Sequence, residues 1–167
     1  MSVNASLWTP AYIAIGSNLD GPVAQVEAAF VELTSLPQSR FIARSRLYRS
    51  APLGPKDQPE FVNAAAGLLT QLTARELLRA LRAIEARMGR APPIVRWGAR
   101  RIDLDLLVHG ESRIDDDDLT IPHRGVPSRN FVLYPLCDIA PTLLIPGHGR
   151  ASVLAKRVGS NGLAAIK

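Results

Sequence analysis

The sequence predicts an α+β fold, on three observations. Short runs that read as strands alternate with two stretches of helical period, in the order strand, helix, strand, strand, helix, strand. No repeat, low-complexity tract or long linker divides the 167 residues, which predicts a single domain over 11–167 behind an extension, 1–10, that carries no recognisable pattern. With 47% hydrophobic residues a chain of this length buries a core without disulfides or a structural metal.

Each element has its own signal. Ala11 to Ile15 is an apolar run stopped by Gly16, Ser17 and Asn18, as in a buried strand that ends in a turn. Asp20, Gly21 and Pro22 open a helix whose stripe is Val23, Val26, Phe30 and Leu33 and which should end near Pro37. Phe41 to Arg49 and Phe61 to Leu69 read as two strands, joined by a loop from Ser50 to Pro59 that is rich in proline and glycine. Thr73 and Glu76 form a capping box for a second helix with the face Leu77, Leu81, Ile84 and Met88, and Gly89 stops it. A last strand runs from Arg101 to Val108. That order is the ferredoxin-like arrangement, a split βαββαβ antiparallel sheet covered on one face by helices. Additional C-terminal elements follow: an acidic turn at Asp115 to Asp118, a proline-bounded segment around His123, and a short helix from Ser128 to Cys137.

Composition narrows the function classes. Cys137 is the only cysteine, so no intrachain disulfide or thiolate zinc site is available, and it reads as a small buried hydrophobe. The start lacks the pattern of a signal peptide and no run of eighteen apolar residues occurs, so the expectation is a cytoplasmic monomer with no membrane partner. The net charge of +5 rests almost wholly on arginine, since Lys56, Lys156 and Lys167 are the only lysines. Such a balance suits a nucleic acid or a polyphosphate alike. Aromatic residues make up only 5%, and the aromatic-rich strand motif of single-strand binders is missing, which argues against nucleic acid.

The most informative residues are Asp103 and Asp105. On a strand they share a face, with alpha carbons roughly 6.5 Å apart, while Ile102, Leu104 and Leu106 face the other side. Neighbouring carboxylates repel, and a cation relieves them; hard oxygen ligands without histidine or cysteine support favour magnesium that also binds substrate phosphates. An isolated Asp-x-Asp is more often a wetted strand face, but Arg90, Arg96, Arg100 and Arg101 precede this one. Arginines around a magnesium site suit a polyphosphate. No Walker loop, dinucleotide turn or protein-kinase catalytic loop occurs, which excludes the mechanisms those motifs serve. A metal-dependent phosphodiesterase or nucleotidyl transferase is the competing reading of the pair.

The stretch from Arg96 to Leu107 (RWGARRIDLDLL) resembles the signature of the hydroxymethyldihydropterin pyrophosphokinases. Ala11 to Leu19 (AYIAIGSNL), Leu53 to Asn63 (LGPKDQPEFVN), and the segment Pro122 to Pro141, with PH, R, FVLYPL and IAP, agree with the same family in one register. The resemblance implies pyrophosphoryl transfer from ATP, the co-substrate, to 6-hydroxymethyl-7,8-dihydropterin, giving AMP and the pterin pyrophosphate. It implies that Asp103 and Asp105 hold two Mg2+ ions and that Arg90 and Arg100 contact the triphosphate and assist transfer. His123 and Arg129 match ATP-phosphate ligands, and Glu85 matches a further residue of the nucleotide site. Phe61 and Phe131 match two rings that stack on the pterin, and Asn63 an amide that reads its edge. Ser50, Ala51 and Leu53 lie where the family offers backbone and apolar contacts, and Trp97 in a loop that closes over the substrates. His109 and His148 read as structural.

This sequence also departs from the family pattern. The loop before Trp97 reads Ala91, Pro92, Pro93, Ile94, Val95 where members often carry basic residues, and two prolines are expected to stiffen it. Arg124 stands in place of an aromatic residue and is expected to restore the lost charge toward ATP. Asp118 stands where some members have a basic residue.

Overall fold

The computed structural model describes residues 7–52, 57–90 and 99–167. Leu53, Trp97 and the Pro92–Pro93 segment lie outside the described residues. Along the chain come β1 (Thr9–Ser17), α1 (Pro22–Leu33), β2 (Ser39–Arg44), β3 (Tyr48–Ser50) and β4 (Phe61–Thr70). They are followed by α2 (Ala74–Arg87), β5 (Asp103–His109), β6 (Ile114–Asp115), β7 (Thr120–Ile121) and α3 (Asn130–Ile139). The last elements are β8 (Leu144–Ile145), β9 (Gly149–Arg150), α4 (Ala151–Val158) and β10 (Leu163–Ala165). β1 starts at Thr9, inside the segment read as an extension.

The main sheet has the order β10-β3-β4-β1-β5, with β2 also pairing β4, and every pairing is antiparallel. β4 is buried along nearly its whole length because it sits mid-sheet with apolar layers on both faces. Its small residues let neighbours approach closely: a side chain at Gly67 would meet the Tyr12 ring at 3.4 Å and Ile139 at 3.6 Å.

One strand was expected from Phe41 to Arg49, and the structure breaks it at Ser45. The Ser45 N–H donates to the Ala65 carbonyl at 2.9 Å, and the Ala65 N–H donates to the Ser45 hydroxyl at 2.8 Å. A side-chain oxygen thus replaces a ladder carbonyl. β2 ends there, and β3 resumes on the same edge of β4, with Ser50 opposite Phe61 and Tyr48 opposite Asn63.

Helices lie on both faces of the sheet, not on one. Ala11, Ile13 and Ile15 of β1 join Leu104, Leu106 and the stripes of α1 and α2 in one apolar cluster. Leu107, Val108, Tyr12 and Ala14 pack with α3 and α4 in a second. A β-bulge between Tyr12 and Ile13 shifts the register against β5, which is how Leu107 comes to the second cluster beside Val108. The α2 capping box forms as the sequence requires: the Thr73 hydroxyl accepts from the Glu76 N–H, and the Glu76 carboxylate accepts from the Thr73 N–H. Among the described residues no helix is long and apolar enough to cross a membrane.

The expected acidic turn is a small hairpin, β6 against β7, tied to α2. Arg75 forms ion pairs with Asp116 and with Asp118, the latter at 2.6 Å. The peptide bond between Ile121 and Pro122 is cis. His109 is buried with Nε2 at 2.9 Å from the Leu72 carbonyl, a structural role as expected.

Candidate active site

Alternation along β5 builds the site. Ile102, Leu104 and Leu106 are buried under α1 and α2, so Asp103 and Asp105 emerge on the opposite face. They stand beside Gly16 and Ala14 of β1, which carry no side chain and a single methyl group and leave room above the carboxylates. Arg90 Nη1 lies 3.3 Å from one Asp103 oxygen and Arg100 Nη1 3.4 Å from the other. His123 Nε2 lies 3.8 Å from an Asp105 oxygen. Burial, then the charge of Asp103, pushes the Asp105 carboxyl up to about 7, and Arg82 partly opposes the rise. Two carboxylates held together in this way fit magnesium, a hard cation that completes its shell with water and ligand oxygens. Among the described residues no third carboxylate, histidine or cysteine joins them in a metal-binding group.

Below the pair lies a charged network on α2. Glu85 is 2% exposed. Its carboxylate accepts from Arg90 at 2.5 Å, from the Leu104 N–H at 2.8 Å and from Arg82 at 2.8 Å. Arg82 also donates to the Leu104 carbonyl at 3.0 Å. β5 is an edge of the sheet, and both backbone groups of the residue between the two aspartates are thus held by helix side chains. A buried carboxylate with three donors is satisfied in a way that an unpaired one never is. Glu85, expected in the nucleotide site, and Arg90 are not among the residues that line the cavity above the pair.

Above the pair opens a cavity of about 570 Å3. Its wall includes Ser50, Ala51, Phe61, Asn63, Arg100, Asp103, Asp105, His123, Arg124, Arg129 and Phe131, all singled out from the sequence. Sheet order separates its two ends. On the β3–β4 side are the rings and Asn63; across β1, on the β5 side, are Leu78, Leu106, Leu119, Thr120 and Asp116 to Asp118. This second end was missed: Leu106 read as facing the buried side of its strand, Leu78, Leu119 and Thr120 gave no signal of their own, and the aspartates read as an acidic turn. Arg82 lines the cavity too. Its one sequence signal was the three-residue spacing to Glu85, which solvent-facing helix pairs share.

Hydrogen bonds fix several wall groups. The Asn63 amide donates to the Ser50 hydroxyl at 2.7 Å, which leaves its oxygen to face Gly16 and the cavity. A side chain at Gly16 would meet that oxygen at 3.3 Å and the Phe61 ring at 3.8 Å. His123 Nδ1 accepts from the Gly125 N–H at 3.0 Å, so a neutral ring carries its proton on Nε2, toward Asp105. Burial first, then Arg129 and other cations, lowers the His123 pKa and favours that neutral form. The Arg129 guanidinium lies 6.0 Å from the centre of the Phe131 ring. Asn18 fastens two cavity loops: its amide donates to Gln58 and to the Pro59 carbonyl, and its oxygen accepts from the Arg100 N–H at 2.7 Å.

Residues 12–141 match the family described as 7,8-dihydro-6-hydroxymethylpterin-pyrophosphokinase. A 2-amino-4-hydroxy-6-hydroxymethyldihydropteridine pyrophosphokinase of Pseudomonas aeruginosa is 50% identical over 135 residues, 81% of this chain and 83% of the relative. The enzyme of that name from Haemophilus influenzae is 43% identical over 147 residues, 88% of this chain and 91% of the relative. Among solved structures, wild-type Plasmodium falciparum HPPK-DHPS with pteroate superposes with a TM-score of 0.71 at 14% identity, a likeness of fold. That alignment covers 93% of this chain and 43% of the Plasmodium chain.

Proposed function

The chain belongs to the 7,8-dihydro-6-hydroxymethylpterin-pyrophosphokinase family, and on that premise we propose how its cavity moves the pyrophosphoryl group of ATP to 6-hydroxymethyl-7,8-dihydropterin in folate biosynthesis. The observation that carries the reading is the acidic pair set between an aromatic end and an aliphatic end of one cavity. The pterin stacks at Phe61 and Phe131, where Asn63, oriented by Ser50, reads its edge. The nucleoside lies at the end lined by Leu78, Leu106, Leu119 and Thr120. Its phosphates then cross the acidic pair, within reach of Arg100, Arg124, Arg129 and the Nε2–H of His123.

Asp103 and Asp105 hold magnesium, two ions on the family pattern, which when bound supplies charge neutralisation and Lewis-acid polarisation of the phosphate oxygens. Arg100 steadies negative charge on the transferring group from beside Asp103. Arg90, held by Glu85, does the same from below, and Asn18 keeps the Arg100 backbone in register with the pterin loop. Positioning and preorganised charge therefore supply most of the rate, as phosphoryl transfer asks of a protein. We read the sheet as the split βαββαβ arrangement: with β2 and β3 counted as one interrupted strand, its order is second, third, first, fourth. The test is to incubate the purified chain with ATP, magnesium and the pterin alcohol and to resolve the nucleotides. AMP formed in step with pterin pyrophosphate, only with pterin and magnesium present, is expected. ADP as product, or no pterin-dependent turnover by folded protein, overturns the reading.

A further inference from the structure

The aliphatic end of the cavity has an acidic rim. Asp116, Asp117 and Asp118 line it, on the turn between β6 and β7, and ATP would bring a strongly negative triphosphate into the same cavity. The hairpin is short: two residue pairs, Ile114 with Ile121 and Asp115 with Thr120, and one further backbone bond from Asp116 N–H to the Leu119 carbonyl at 2.9 Å. A two-stranded ribbon of this size is marginal without anchorage. Leu119 and Ile121 anchor β7 through the core. The turn is held by Arg75, whose Nη1 donates to both Asp118 oxygens at 2.7 and 2.6 Å while Nη2 donates to Asp116.

Arg75 occupies the first turn of α2, where the helix dipole disfavours a cation. Glu76 in the same turn is engaged in the capping box with Thr73, and it is the two aspartates across the gap that pair with Arg75. A planar guanidinium spans two carboxylates with two nitrogens, which a lysine ammonium does not reproduce. The bond to Arg75 holds the Asp118 carboxyl below its ordinary range, so both members are charged at neutral pH.

We propose that Arg75 is a positioning residue for the nucleotide: by pairing with Asp116 and Asp118 it holds the hairpin beside the cavity and offsets the carboxylate charge there, so that this end accepts ATP. The inference rests on the nucleoside lying at the hairpin end. Because the pair is exposed, its loss should move binding more than stability.

The test uses the full chain with Arg75→Ala, Arg75→Lys and the triple variant Arg75→Ala/Asp116→Asn/Asp118→Asn. It reads KM for ATP, KM for the pterin, kcat, and calorimetric binding of a non-hydrolysable ATP analogue with magnesium. Arg75→Ala should raise KM for ATP on the order of 3–10-fold at low salt, the size of a local field effect, with a smaller rise at high salt. Its kcat and pterin KM should stay within about twofold, and the unfolding midpoint should hardly move, as for an exposed pair. Arg75→Lys should recover part of the loss, and so should the triple variant, which removes the carboxylate charge without restoring the tether. An unchanged ATP KM, an equal rise in pterin KM, or a triple variant that recovers nothing overturns the proposal. Wild-type protein that turns over the pterin yet binds the analogue without any effect of Arg75→Ala removes this inference alone, whereas wild type that binds no analogue removes the nucleotide reading with it.

Discussion

At the scale of single residues, the proposed function divides the work between the acidic pair and the rings, and substitution should separate them. Asp103→Asn or Asp105→Asn keeps shape but removes a metal-binding charge, so kcat should fall by roughly 10²–10³-fold or more, the scale of losing one electrostatic contact to the transition state. Circular dichroism should be unchanged, and a variant with most of its magnesium-dependent activity removes the metal assignment. Phe131→Ala forfeits stacking worth ~1–3 kcal/mol, so pterin KM should rise about 10-fold or more while ATP KM holds. Equal loss for both substrates would show that the ring only packs α3. Strand periodicity alone put Asp103 and Asp105 on one face, whereas the roles of Phe61, Phe131 and Asn63 came from the resemblance, since a phenylalanine on a strand looks like core. Arg75 and Arg82 were illegible: each sits among other arginines on an exposed helix surface, and their partners lie far along the chain or across a helix turn.

At the scale of elements, the joint between β3 and α3 makes a prediction about pH. The Tyr48 hydroxyl donates to Asp138, and Arg46 donates to both. Burial first, and then the Asp138 carboxylate, pushes the Tyr48 phenol up to about 12 from its ordinary 10.0. The folded chain therefore keeps a proton that the unfolded chain releases, and its stabilising effect is whole below pH 10 and fades as pH rises to about 12. Urea midpoints of wild type should fall more steeply over that window than those of Tyr48→Phe, and parallel curves would mean the bond contributes nothing. Helix signals were legible at this scale, because caps and stripes are local. The break at Ser45 was not, since it depends on where Ala65 stands on a strand twenty residues away. β8, β9 and β10 are two or three residues each, too short to show a period, and exist because tertiary neighbours pair with them.

At the scale of the molecule, one sheet carries two apolar clusters, and its strands belong to both. Leu81 of α2 and Leu136 of α3 lie on opposite faces, each fully buried. Changing either to alanine should cost ~2–5 kcal/mol. Both variants should still unfold in one transition, seen alike by far-ultraviolet circular dichroism and tryptophan fluorescence. Two separate transitions would show that the faces fold independently. The helix at Ser128 to Cys137 was legible, but its place with α4 as a layer on the second face was not, because a βαββαβ pattern describes the covering of one face and is silent about where later elements pack. The cavity exists because that second layer leaves the acidic end of β5 uncovered.

Gly16 carries a consequence for inhibitors. A methyl group there would crowd the Asn63 oxygen and lie in contact with the Phe61 ring, the two wall groups assigned to the pterin. A mutation at this position that expels a competitive pterin mimic must expel the natural substrate as well. Compounds that rest on this stretch of the floor would meet a target with little room for drug resistance.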